Sequence, residues 1–412
     1  MRRLSRRVVA PRGSRPLAHA RTQVGVQTLA RVALAAIVGG SAHAAAPLPA
    51  LTTAPSEASV SGLSSGGFMA VQLHVAYSGT FRRGAGIVAG GPFDCAEGSL
   101  PAALGRCATG GAPVASLVRL TRQWAQAKSI DPLVHLAASK VYLFSGTADH
   151  RVEPAVVREL QTYYRAFVPA ANVVYKRDLA AGHGMPTDDF GVACGASVSP
   201  FINNCRFDLA GALLRHLLGP LAPRNDGAPT GRLFEFDQTP FARSPGLAAT
   251  GWAYVPKPCD EGVACRVHVA LHGCRQNHAT VGDAFTRHAG YNRWADTNRI
   301  IVLYPQTGAE AVNGCWDWWG YDGADYAKKT GPQMAAIVAM VARLGGAALP
   351  APHAATCVTD NNFAHTVAGR AHASFGFALA NGSNDVMGPW NVFASSTLKN
   401  TRAGFYVVGT CR

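Results

Sequence analysis

Apolar residues along this chain gather in short runs separated by stretches with helical spacing. The runs at 58–63 (ASVSGL), 84–90 (GAGIVAG) and 140–146 (KVYLFSG), and more loosely 172–179 (NVVYKRDL), are strand-length and bounded by glycine or polar residues. Unbroken apolar runs of this length suit strands buried on both faces. Between them Phe68, Met69, Leu73, Ala76 and Tyr77 recur at near-helical spacing, and helices are expected at about 154–167 and 206–218. In the latter Leu209, Leu213, Leu214 and Leu217 share a stripe, and Gly219-Pro220 stops it. A polar connector, GPLAPRNDGAPTG (219–231), interrupts the pattern. Strands resume at 232–237, 251–256, 266–273 and 300–306, with helices at about 282–297 and 331–344. This alternation predicts an α/β fold, a mainly parallel sheet covered by helices on both faces. Residues 345–356 read as a linker. Residues 357–412 are rich in Gly, Ser, Asn and aromatics and lack helical periodicity, so a small β module is expected there.

Composition adds a compartment. Hydrophobic residues are 48% of the 412 and charged ones 15%, enough for a substantial core. The net charge of +14 is concentrated: residues 1–44 hold eight arginines and no acid, and the remainder carries only +6. Nothing here argues for nucleic-acid binding. The arginine-rich start, the apolar run VALAAIV (32–38) and Ala42-His43-Ala44 have the order of a secretory signal peptide, with too few apolar residues to span a bilayer. The expected organisation is a signal peptide at 1–44, a catalytic domain at 45–345, a linker at 346–356 and a module at 357–412. The mature protein is expected outside the cytoplasm, extracellular or periplasmic, as a monomer without a membrane anchor.

Ten cysteines fit export, and none shows zinc spacing, so no metal site is expected. Their connectivity is open. Local pairing favours Cys95–Cys107, Cys194–Cys205 and Cys259–Cys265, which leaves Cys274 with Cys315, and Cys357 with Cys411 around the C-terminal module.

The chemistry begins at Gly62-Leu63-Ser64-Ser65-Gly66, a G-x-S-x-G pentapeptide between a strand and a helix. That context exposes a nucleophilic serine at the top of an α/β-hydrolase sheet. Such folds place several strands before the serine, whereas here it opens the folded chain. The missing strands lie downstream: VHVALHGC (267–274) resembles the strand before an oxyanion loop, and the set is complete but rotated, as in a circular permutation joined through 219–231.

A triad then follows in the order Ser, Asp, His: Ser64 as nucleophile, Asp149 in GTADHRV as orienter and His183 in AGHG as base. Ser65 is the local rival for nucleophile, and Asp188 and Asp189 lie too close in sequence to His183 to orient it. The expected oxyanion donors are the backbone N–H groups of Ser65 and Cys274. His272 is expected to shape the turn. In NGCWDWWGYDG (313–323), Trp316, Trp318 and Trp319 are candidates for an apolar substrate wall, Trp316 being favoured.

The stretches VSGLSSGGFMAVQLHVAYS, AGGPFDCA, SPFINNC, VALHGCRQ, GYNRWADTN, IIVLYPQ and NGCWDWWGY together resemble the secreted polyhydroxybutyrate depolymerases with a circularly permuted α/β-hydrolase domain, over roughly residues 50–345. The resemblance implies hydrolysis of short-chain poly(3-hydroxyalkanoate) esters through an acyl-serine, without a cofactor, on a polymer surface or on oligomers. It implies the same Ser64, Asp149 and His183, the same two amides, and Trp316 in the cleft. Two other readings stand beside it: an esterase of feruloyl, acetyl-xylan or soluble-oligomer type, and a non-catalytic binding protein.

Overall fold

The computed structural model describes residues 45–242, 246–349, 356–402 and 405–410. The expected signal peptide at 1–44, most of the linker and Cys411, the expected partner of Cys357, lie outside the described residues.

A nine-stranded sheet organises the fold. In chain order its strands are β1 (Ala46–Pro47), β2 (Ser59–Leu63), β3 (Gly84–Val88), β4 (Lys140–Phe144), β5 (Val173–Lys176), β6 (Arg232–Asp237), β7 (Thr250–Val255), β8 (Arg266–Leu271) and β9 (Ile300–Tyr304). Across the sheet they run β1-β6-β7-β9-β8-β2-β3-β4-β5. All neighbours are parallel except β7, which is antiparallel to both β6 and β9. The chain therefore enters the middle of the sheet at β2 and builds outward to β5. It resumes near the opposite edge at β6 and returns to the centre, where β8 pairs with β2. This is the rotated strand order expected from the position of the serine motif.

The apolar runs work as strands because successive side chains feed two cores. Val60, Ala85, Ile87, Val141, Leu143, Val267, Val269, Leu271, Ile301 and Leu303 belong to one buried cluster. Leu63, Val88, Tyr142, Phe144, Ala270, Ile300, Val302 and Tyr304 belong to the other. Membership switches with each step along the strand, as the two-residue period requires. The helix Ser65–Ala76 is buried at all twelve positions, which suits its apolar composition. Helices Val114–Gln126 and Pro154–Arg165 are amphipathic; the second buries Val156, Val157, Leu160, Tyr163 and Tyr164.

Several expectations shift. The helix expected at 282–297 is two, Ala284–His288 and Tyr291–Asn298, parted at Gly290, whose φ is 92°. Residues 91–139, unassigned from the sequence, hold four helices, three of only four or five residues. The C-terminal segment forms two three-stranded antiparallel sheets and one short helix, Asn362–Val367, capped by the Asn361 side chain. Among the described residues, four disulfides join Cys95 to Cys107, Cys194 to Cys205, Cys259 to Cys265 and Cys274 to Cys315.

Candidate active site

The end of β2 turns sharply into the buried helix at Ser64, whose φ of 58° and ψ of −123° are costly for a residue with a side chain. Such strain, of about 1–3 kcal/mol, persists where the surroundings enforce it. The motif glycines explain how. A Cβ on Gly62 would lie 2.1 Å from the Gly66 carbonyl oxygen, and one on Gly66 would lie 2.4 Å from that of His272. The turn is thus pressed against its own helix and against the end of β8. Ser64 is left partly exposed and lines a cavity of about 490 Å³. Ser65 is 1% exposed, and its hydroxyl accepts a hydrogen bond from the Trp316 amide at 3.3 Å.

His183 lines the same cavity. Its Nδ1 donates to Asp149 Oδ2 at 2.8 Å, and both residues are buried. The other carboxylate oxygen of Asp149 accepts from the backbone N–H groups of Arg151 (2.9 Å) and Val152 (3.1 Å). An imidazole donating from Nδ1 presents Nε2 as an acceptor. Among the described residues no hydrogen bond joins the Ser64 hydroxyl to the imidazole, a looseness common before substrate tightens such contacts.

The His183 loop is held from below. Its amide donates to Ser197 Oγ at 2.8 Å. A small three-stranded sheet (Met185–Thr187, Val192–Ala193, Ile202–Asn204) follows, closed by Cys194–Cys205. Asn203 Nδ2 bridges the carbonyls of Cys194 and Ala196, both at 2.7 Å.

The opposite wall is the loop after β8. The Gly273 carbonyl accepts from His272 Nδ1 at 2.7 Å. Because the 273–274 peptide is planar and trans, fixing that carbonyl aims the Cys274 N–H the other way. No acceptor among the described residues engages that N–H. His272 Nε2 in turn accepts from the Thr307 amide at 3.3 Å, so the ring is neutral, and burial pushes its pKa down to about 4. Gln276, which the sequence reading did not single out, ties the two walls together. Its carbonyl oxygen accepts from the Gly273 amide at 2.7 Å, and its Nε2 donates to the carbonyls of Pro200 (2.9 Å) and Phe201 (3.0 Å). It lies inside the VALHGCRQ stretch, but only the fold reveals that its far end meets the His183 side.

The tryptophans divide differently from the expectation. Trp316 is fully buried and donates from Nε1 to the His272 carbonyl at 3.0 Å. It packs in the core and is absent from the cavity lining, so in place of the expected substrate wall it braces the loop after β8 from beneath. Trp318 and Trp319 do line the cavity. Trp318 stacks on Phe68 with ring centroids 4.0 Å apart, and Trp319 meets Trp318 edge-on at 5.4 Å. Phe68 and Phe201 complete the aromatic lining. From its spacing in the sequence Phe68 is expected only as an apolar position of its helix.

A strained serine, an aspartate-oriented histidine and a mostly apolar cleft in this sheet define a serine ester hydrolase of the α/β-hydrolase class. Comparison with known proteins narrows the class. The family model "Esterase PHB depolymerase" matches residues 253–358. The chain is 47% identical over 473 residues to a poly(3-hydroxybutyrate) depolymerase of Delftia acidovorans, covering 90% of this chain and 96% of that one. It is 38% identical over 331 residues to a polyhydroxybutyrate depolymerase of Talaromyces funiculosus, covering 76% and 97%. A solved serine-to-alanine variant of PHB depolymerase complexed with R3HB trimer superposes with a TM-score of 0.69 at 38% identity, over 73% of this chain and 98% of that one. The chain belongs to the polyhydroxybutyrate depolymerase family and is a carboxylic ester hydrolase acting on poly(3-hydroxybutyrate).

Proposed function

We propose that Ser64, His183 and Asp149 carry this hydrolysis. Ser64 Oγ attacks the ester carbonyl carbon while His183 Nε2 takes its proton, and Asp149 stabilises the imidazolium. The oxyanion of the tetrahedral intermediate sits against the amides of Ser65 and Cys274. Collapse expels the hydroxyl-ended fragment, which receives the proton from His183. Water, deprotonated by the same imidazole, then cleaves the acyl-serine to a carboxylic acid. Trp318, Trp319 and Phe68 pack against the apolar repeat of the chain. The observation that carries the reading is the 2.8 Å Asp149–His183 bond opening on the cavity that the strained Ser64 also lines.

The partner in this reading is solid polymer or its oligomers, met outside the cytoplasm, and the disulfides among the described residues support export. No described helix is long and apolar enough to cross a membrane. In the C-terminal module Phe393 is 90% exposed and Phe375 wholly so, an unusual display of aromatic rings that suits adsorption to an apolar solid. Clearing of a polymer suspension and retention on granules test both parts together. Ser64→Ala removes turnover and fluorophosphonate labelling but not adsorption; adding Phe375→Ser and Phe393→Ser weakens adsorption several-fold. Hydrolysis by the Ser64→Ala protein would overturn the nucleophile, and unchanged retention of the triple variant would remove the module's role.

A further inference from the structure

The catalytic cavity contains a charge pattern that polyester hydrolysis alone does not call for. Its lining is mostly apolar and aromatic, with no aspartate or glutamate, yet beside Ser64, His183 and Asn313 it includes the arginines Arg151 and Arg275. They come from opposite walls. Arg151 follows Asp149 by two residues, and Arg275 directly follows Cys274 in the oxyanion loop. Both are exposed, and neither forms an ion pair with a carboxylate among the described residues. Arg151 makes one side-chain hydrogen bond, a long one from Nη2 to the Ser197 carbonyl at 3.4 Å. Arg275 has a φ of 55° and is fixed by its backbone, whose N–H donates to the Asn313 carbonyl at 2.9 Å.

The substrate supplies the missing partner. Every repeat unit of a poly(hydroxyalkanoate) is neutral, so the one ionised group of the chain near neutral pH is its terminal carboxylate. A guanidinium facing the cleft has no other substrate charge to meet, and its planar fork matches a carboxylate. Resting on the assignment of Ser64 as nucleophile, we propose that Arg151 and Arg275 form a carboxylate-end subsite that selects free-acid chain ends and oligomers. The free carboxylate lies on the alcohol side of any ester in a linear hydroxyacid chain. An anchored end therefore sits in the leaving fragment, and the ester presented to Ser64 is a set number of units from that end. The first released acid then has a preferred length, whatever the length of the parent oligomer.

The test uses the full chain and matched 3-hydroxybutyrate trimers and tetramers, as free acids and as methyl esters. The readout is the ratio of kcat/KM for acid over ester, measured on one preparation. The subsite predicts a ratio of about five for the wild-type protein, the most that partly exposed ion pairs supply. It predicts a fall towards one in 0.5 M salt and in Arg151→Met with Arg275→Met. It also predicts one dominant acid fragment from both oligomer lengths. Equal handling of acid and ester by the wild type, or a ratio indifferent to salt and to both substitutions, overturns the subsite. Because the methyl esters report on Ser64 without the end charge, loss of their hydrolysis would instead indict the catalytic assignment. The wild-type ratio and its salt dependence stand even if the double variant does not fold.

Discussion

Trp316 and Trp318 stand two positions apart and have unlike surroundings. Trp316 is enclosed and braces the His272 carbonyl, whereas Trp318 is partly exposed, stacked on Phe68 and open to the cavity. Trp316→Ala should therefore lower stability by about 3–5 kcal/mol, the usual loss for an emptied aromatic site. Trp318→Ala should lower it much less and raise KM for oligomers. Thermal midpoints and oligomer kinetics decide, and a larger stability loss for Trp318 would reverse the division. The sequence showed three tryptophans in a polar, glycine-rich loop but not which would face inward. A helix or strand carries a period that sorts its faces, and residues 315–319 form neither. Ser64 was legible for the opposite reason. Its glycines are dictated by backbone contacts within the turn and with β8, so the constraint is written into adjacent letters.

At the scale of elements, the side chains proposed as catalytic ride on turns and loops near cross-links. Cys274–Cys315 closes 41 residues and joins the loop after β8 to the tryptophan loop, while Cys259–Cys265 closes six and its cysteines do not line the cavity. Loop-closure entropy assigns about 4 kcal/mol to the first and about 2 kcal/mol to the second. Replacing both cysteines of the first pair by serine should cost stability and also reduce kcat on soluble esters, because the Cys274 amide loses its fixed aim. Replacing both of the second should cost stability with little change in kcat. Equal kcat losses in the two variants would deny the longer bridge any positioning part. Buried strands were legible here because apolar runs sandwiched between two cores have no alternative home. The helices of 91–139 were not, because three of them are single turns whose burial is imposed by Cys95–Cys107 and by neighbouring chain. The break at Gly290 depends on a left-handed residue that a lone glycine in a helical pattern does not announce.

For the molecule as a whole, the rotated strand order could be anticipated because motif order along the chain survives without any knowledge of contacts. What could not be anticipated was how many ionisable groups the closed core would enclose. His74, His268 and His272 are fully buried, and desolvation pushes their pKa values down to about 3, 3 and 4. His268 bonds Ser59 Oγ and Ser61 Oγ, each at 2.8 Å, one hydroxyl donating and the other accepting, a pattern that fits a neutral ring. Each depressed histidine contributes stability that is present above its unfolded pKa near 6.5 and is lost as pH falls towards 3–4. Asp94 and Asp317 act in the reverse sense. Burial lifts them to about 6 and about 7, so their contribution is present below 3.8 and is lost as pH rises through those values. Between pH 6.5 and 4 the unfolded chain binds up to three more protons on the histidines, and the folded chain up to two more on the acids. The net slope is then about 1.4 kcal/mol per pH unit. Below pH 4 the acids no longer offset the histidines, and Asp178, Asp226, Asp260, Asp296 and Asp325, all held low in the folded state, add to the loss. Urea midpoints from pH 8 to 3 should thus trace a shallow decline followed by a steep one. Asp94→Asn with Asp317→Asn should steepen the upper limb by removing the opposing protons. A wild-type curve that is steepest between pH 6 and 5 and flat below 4 would refute this balance and with it the neutral state assigned to the buried histidines.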